Sequence, residues 1–193
     1  MMFLPAFAIL ALFVAAPAAD QAYPAAEVLD AYGRACERFD DVARARDRAV
    51  ALGWEAFEAD PSSEPGRSLA PARGELGETL VRTEVDRAFT LRRTVGSRSL
   101  FLVLVDQRYP DSERLVRNRI CRVHDFDAPS QVDEAAATRW AGRAPDARVP
   151  FLDAMMWEPG LMRETSYTSI TFNGGDSIIA PGLEFASYLE DWR

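Results

Sequence analysis

The sequence predicts an α+β fold: an antiparallel sheet of about five strands packed by an N-terminal helix and a second helix, with one disulfide. Three observations lead there. Helix-period and strand-period segments run in the order α, β-β-β, α, β-β rather than in strict βα alternation. The run Leu100-Phe101-Leu102-Val103-Leu104-Val105 is apolar on both faces, as in a central strand covered on both sides. Two cysteines, Cys36 and Cys121, fall on the first helix and the third strand.

The chain opens on an apolar, uncharged run, Phe3 to Val14, followed by Ala15-Ala16-Pro17-Ala18-Ala19-Asp20. Such a run is too short to cross a hydrocarbon core of roughly 30 Å, which takes about 20 helical residues. It fits the h-region of a secretory signal. Cleavage after Ala18 places Ala16 and Ala18 in the peptidase's small-residue pockets, and alternative cuts bring Pro17 to unfavourable positions. No Lys or Arg precedes the run, so the α-amino group supplies its positive charge. Removing residues 1–18 from the 193 leaves 175, the size of one ordinary domain. The expected organisation is a signal over 1–18 and a single α+β domain over 19–193.

From Ala25 to Leu52, Val28, Tyr32, Ala35, Phe39, Val42, Ala49 and Leu52 recur on one helical face, with Arg34, Arg38, Asp41, Arg44 and Arg48 on the other. Asp40-Asp41 is placed to cap a second helix, so a break near Phe39 is one reading. Gly53 ends the helix, with Trp54 and Phe57 packing back over its last turn. Residues 58–78, rich in Pro, Gly and Ser, form a loop.

Arg87 to Val95 and Ser99 to Gln107 then read as strands joined at Gly96-Ser97. A turn at Pro110-Asp111-Ser112 leads to a third strand, Leu115 to His124. Arg117 and Arg119 share the face of Cys121 and Val123, which points to a bulge. Ser130 opens a capping box with Asp133, and Val132, Ala136, Arg139 and Trp140 stripe the second helix until Gly142 and Pro145. Phe151 to Trp157 is apolar, with helix and strand both open. Thr165 to Phe172 alternates as a strand, Asn173-Gly174-Gly175 turns, Ser177 to Ala180 pairs back, and Leu183 to Leu189 is a final strand or short helix.

Charge and composition narrow the functional classes. The 1–18 segment has no charged side chain, so the formal charge of −8 belongs entirely to the remainder. Nucleic acid and anionic lipid both demand clustered positive charge and are disfavoured as partners. A basic envelope protein fits, although acidity also serves solubility. All 22 cationic side chains are Arg, a bias expected of a G+C-rich bacterial genome, and Lys-dependent chemistry is excluded. In an oxidising compartment, two cysteines 85 residues apart favour one disulfide over inert thiols or a redox pair.

Catalytic groups are sparse. His124, the single histidine, lies beside Asp125 and Asp127 and is the one candidate for metal or acid-base chemistry, but a zinc site wants three or four ligands. No G-x-S-x-G elbow occurs. Asp40-Asp41, Asp60, Glu64 and Glu190-Asp191 offer carboxylates without a specific pattern. Gly174-Gly175-Asp176 reads as a turn rather than a phosphate loop. Trp54, Trp140, Trp157 and Trp192, with Tyr167 and Phe172, read as core rather than as a sugar-stacking platform, with an exposed anchor as the alternative for the near-terminal Trp192. The sequence assigns no catalytic, cofactor or metal residue, and its oligomeric state is open. It favours a periplasmic or secreted, non-enzymatic binding or accessory protein of the cell envelope. The alternative is a small envelope hydrolase using His124 or a carboxylate pair.

Overall fold

The computed structural model describes residues 23–69, 84–110, 115–174 and 181–192. The expected signal at 1–18, the loop beyond Leu69, the centre of the turn after Pro110 and the segment Ser177 to Ala180 lie outside these residues.

The first helical stretch is two helices, α1 (Ala25–Cys36) and α2 (Val42–Ala51). Asp41 separates them as the N-cap of α2, its carboxylate accepting from the amides of Ala43 at 3.0 Å and Arg44 at 3.2 Å. Gly53 follows α2 with a φ of 88°, and Trp54 then turns into the core. Phe57 does not pack back on the helix as expected. It passes β1 (Glu55–Ala56) and lies across Phe101, ring centroids 5.0 Å apart. The expected 58–78 loop also carries a short helix, α3 (Glu64–Leu69), whose Leu69 is fully buried.

Next come β2 (Glu84–Val95), β3 (Arg98–Pro110) and β4 (Leu115–Asp125). Gly96 supplies the positive φ, 58°, that a two-residue hairpin needs at its first position. The β3–β4 register runs without a shift, so the bulge expected in the third strand is absent. Arg117 is accommodated instead by Asp106, with Nε at 2.7 Å from Oδ1, and the irregularity sits in β2 between Val85 and Arg87.

Helix α4 (Glu134–Ala141) is capped by Asp133, which accepts from the Ala136 amide at 3.1 Å, rather than by Ser130. Gly142 closes it in the left-handed region. The segment around Phe151 resolves into β5 (Ala147–Val149), a 3₁₀ turn (Pro150–Leu152) and β6 (Ala154–Trp157). β7 (Tyr167–Asn173) pairs with β8 (Gly182–Trp192), pairing resuming at Asn173 and Gly182.

The sheet therefore has eight strands among the described residues, not five, in the order β1-β2-β3-β4-β8-β7-β6-β5 and antiparallel throughout. The three strands added to the expectation are β1, β5 and β6, each of two to four residues. The central strand is β3, as the sequence predicts. Its Leu100, Leu102 and Leu104 join the main core under the helices, and its Phe101, Val103 and Val105 join a second core with Leu69 and Ile120.

The main core packs α1, α2 and α4 on one face of the sheet, around Tyr32, Trp54, Trp157 and Phe185. Trp140 is half-buried against Tyr32, centroids 5.7 Å apart. Burying the Tyr32 hydroxyl requires a partner, which Ser187 Oγ provides at 2.6 Å, with Thr168 Oγ1 at 2.8 Å from Ser187 in turn. The Cys36–Cys121 disulfide pins the last turn of α1 to the middle of β4, with a Cα–Cα distance of 5.7 Å. Both sulfurs lie on the helix-covered face, as the predicted cross-link requires.

Candidate functional site

Side chains alternate across a strand, so β4 divides its residues between two environments. Arg119, Cys121, Val123 and Asp125 face the helices; Asn118, Ile120, Arg122 and His124 face the opposite side, which is called here the second face. The register extends these into cross-strand rows. Phe101, His124, Glu184 and Thr171 form one; Val103, Arg122, Ala186 and Ser169 the next. Val105, Ile120, Tyr188 and Tyr167 form the third, and Gln107, Asn118 and Glu190 the fourth. Over β3 this face is covered by Phe57 and Leu69. Toward β8 and β7 it presents a half-buried polar and aromatic stripe.

His124 sits where that cover meets the stripe. It is 6% exposed, its ring stacked on Phe126 at 5.4 Å with a 5° interplanar angle. Nε2 lies 3.6 Å from Glu184 Oε2. Burial holds the imidazole pKa below its ordinary 6.5, outweighing the pull of the Glu184 carboxylate in the other direction. The ring is therefore neutral at pH 7. Among the described residues, no serine hydroxyl contacts it.

The juxtaposition with Asp125 and Asp127 that the sequence raised does not form. Asp125 points to the helix-covered face, fully buried, where Arg98 clamps it bidentately through Nε and Nη2 at 2.9 Å each. Asp127 is exposed, and its amide donates to Asp125 Oδ1 at 3.2 Å. The sheet itself separates the imidazole from the Asp125 carboxylate. Among the described residues, no three His, Cys, Asp or Glu side chains gather as a metal site.

The other carboxylates are dispersed and mostly occupied by local backbone. Asp41 caps α2, its pKa lowered by the Arg44 amide; Asp60 binds the Ser62 hydroxyl and amide, which lower its pKa likewise. Glu190 lies on the second face, and Asp40 is at the surface. The side chains of Glu64, Asp191 and Trp192 lie outside the described residues, and so does the Gly175-Asp176 half of the glycine turn. Trp54 and Trp157 are core residues as expected, whereas Tyr167 belongs to the second face.

The stripe carries groups that sequence reasoning passed over. Tyr167 and Tyr188 stack at 4.2 Å with a 17° tilt, and the Arg122 guanidinium lies over the Tyr188 ring at 5.7 Å. Burial raises the pKa of both phenols, so they stay neutral hydrogen-bonding groups. Glu184 and Glu190 flank the pair in β8. In the sequence Glu184 and Glu190 stand six positions apart in β8, so strand alternation puts both on one face. Fixed aromatic rings with flanking carboxylates can hold a cationic group by ring-face attraction and charge-assisted hydrogen bonds.

Two further surface features lie elsewhere. A groove of about 530 Å³ runs between α1 and the β2–β3 turn, lined by Glu27, Asp30 and Arg93. Phe151, in the 3₁₀ turn beside the edge strand β5, is 86% exposed. Comparison with protein-family models, with curated proteins and with solved structures finds no match for this chain.

Proposed function

We propose that the chain is an exported, non-enzymatic binding or accessory protein of the cell envelope, periplasmic or secreted, and that its partner is a basic protein. The observation that carries this reading is the second-face stripe: its aromatic and charged groups are held by one another, as in a preformed contact surface. The formal charge of −8 supports a basic partner, since it steers association with a positive surface. The apolar run Phe3 to Val14 with small residues at Ala16 and Ala18, read as a cleavable signal, and the buried cross-link support the compartment. A pull-down from envelope extract tests it: a basic protein retained at low salt and released at high salt is the expected result. Retention of no basic protein at low salt overturns it.

One contact favours a second reading, a small envelope hydrolase: the imidazole of His124 beside the Glu184 carboxylate, the composition of an acid-base pair. Turnover of envelope glycans or esters that is lost in a folded His124→Gln variant would establish it. Turnover unchanged in that variant removes it.

A further inference from the structure

Phe151 stands apart from the other large apolar side chains among the described residues. It is 86% exposed; the next, Val50 in α2, is 51%, and no other counts as exposed. A single exposed apolar residue on a fraying tip would call for no explanation, but this tip is braced. Pro150 holds a fixed φ immediately before Phe151. The Asp153 amide donates to the Pro150 carbonyl at 3.2 Å, and the Asp153 carbonyl accepts from the Phe172 amide at 3.1 Å and from the Gln131 side-chain amide. The ring is thus presented from a turn tied to β7 and to the segment leading into α4, so little ordering remains to be done on contact.

The surroundings of the turn are acidic. Asp153 is exposed, as are Asp133 and Glu134, which follow Gln131 into α4. Glu134 pairs with Arg148 of β5 and Asp133 caps α4, whereas Asp153 forms no ion pair with the described residues. The turn also continues the second-face stripe. The row of His124, Glu184 and Thr171 runs on through Ala154 of β6 to Val149 of β5, the last residue before the turn. Three strand spacings of about 4.8 Å separate Glu184 from Val149, roughly 14 Å, which fits inside the footprint of one ordinary protein contact.

We infer that Phe151 is the anchor by which the basic partner is held: its ring enters an apolar pocket of that protein, and Asp153, Asp133 and Glu134 meet Arg or Lys at the pocket rim. This rests on the binding-protein reading and names the contact within it. A rigid aromatic supplies the buried centre of such an interface, and the flanking carboxylates select and steer the basic surface.

The test mixes the mature, oxidised chain carrying Phe151→p-benzoylphenylalanine with envelope extract at low salt and irradiates it, with Val50→p-benzoylphenylalanine as control. A cross-link from 151 and not from 50 to one basic protein is expected, the linked peptide lying in an apolar concavity flanked by Arg or Lys. With that protein purified, Phe151→Ala should weaken binding at least about thirtyfold, the loss of a central aromatic anchor. Its melting temperature should stay within about 2 °C of wild type, because the exposed ring supports little of its own fold. Asp153→Asn, which tolerates the φ of 43° at that position, should slow association at low salt and leave dissociation unchanged. Absence of a cross-link from 151, a linked pocket without basic groups, or wild-type affinity in Phe151→Ala would each overturn the anchor. If a basic protein is retained equally by wild type and Phe151→Ala, the anchor fails and the partner reading stands. If wild type retains no basic protein, the partner reading fails and the anchor with it.

Discussion

Replacing Cys36 and Cys121 together by alanine opens the 85-residue loop that their bond closes in the unfolded chain. In the chain-entropy model the cross-link removes about 15 cal/mol/K from the unfolded ensemble for a loop of this length, or about 4.6 kcal/mol at 25 °C. Both residues are fully buried between α1 and β4, so the lost sulfurs add roughly 1 kcal/mol of unfilled space. For a chain of this size each kcal/mol moves the melting temperature by about 2–4 °C, so a fall of at least about 10 °C is expected. Urea unfolding followed by circular dichroism, with the oxidised protein as reference, reads the free energy directly. A loss below about 1.5 kcal/mol would refute the assignment of the bond as the main staple of α1. Because neither sulfur touches solvent, reductant should leave the folded protein intact and act only once it unfolds.

Three further predictions concern groups on either face of β4 and its neighbours. His124 has a folded-state pKa below the unfolded 6.5, so its contribution to stability is complete above that pH and is lost as the pH falls through the folded value. Stability measured from pH 7 to pH 5 should therefore decline, and His124→Gln should flatten that decline; an unchanged slope contradicts the buried, neutral imidazole. Arg98→Gln leaves the Asp125 carboxylate buried without its partner and should cost about 3–5 kcal/mol in chemical denaturation, whereas a cost under 1 kcal/mol would show that the clamp is not structural. Gly182→Ala puts a Cβ at 2.1 Å from the Asp125 carbonyl oxygen at a φ of 92°, so it should destabilise by about 3 kcal/mol or more, and a wild-type melting temperature would refute that packing.

The parts of the fold legible in the sequence are those whose period is long enough to count. The two-sided apolar run of Leu100 to Val105 identifies the central strand because six residues sample both faces three times. Asp41 and Gly142 mark helix ends because their local chemistry acts within one turn. Strands β1 and β5 escape notice, and the segment of β6 is left open between helix and strand, because two to four residues hold no period. α3 is masked by Pro65 and Gly66, which read as loop although Leu69 anchors the turn in the second core.

The site was less legible than the fold for a different reason. Sequence proximity groups His124 with Asp125 and Asp127, but strand alternation sends His124 and Asp125 to opposite sides of the sheet. The contact of His124 with Glu184, and the pairings of Asn118 with Glu190 and Tyr167 with Tyr188, are set by the β4–β8–β7 register. They join residues about 20 to 70 positions apart, and nothing local encodes them.

Intact-mass and N-terminal analysis of the full-length chain after expression in a bacterial host tests the export premise most directly. The expected product is a chain in the soluble envelope or culture-medium fraction that begins at Ala19 and is two hydrogens lighter than its dithiol form. An uncut 193-residue chain recovered from the cytosol with both thiols free would contradict it.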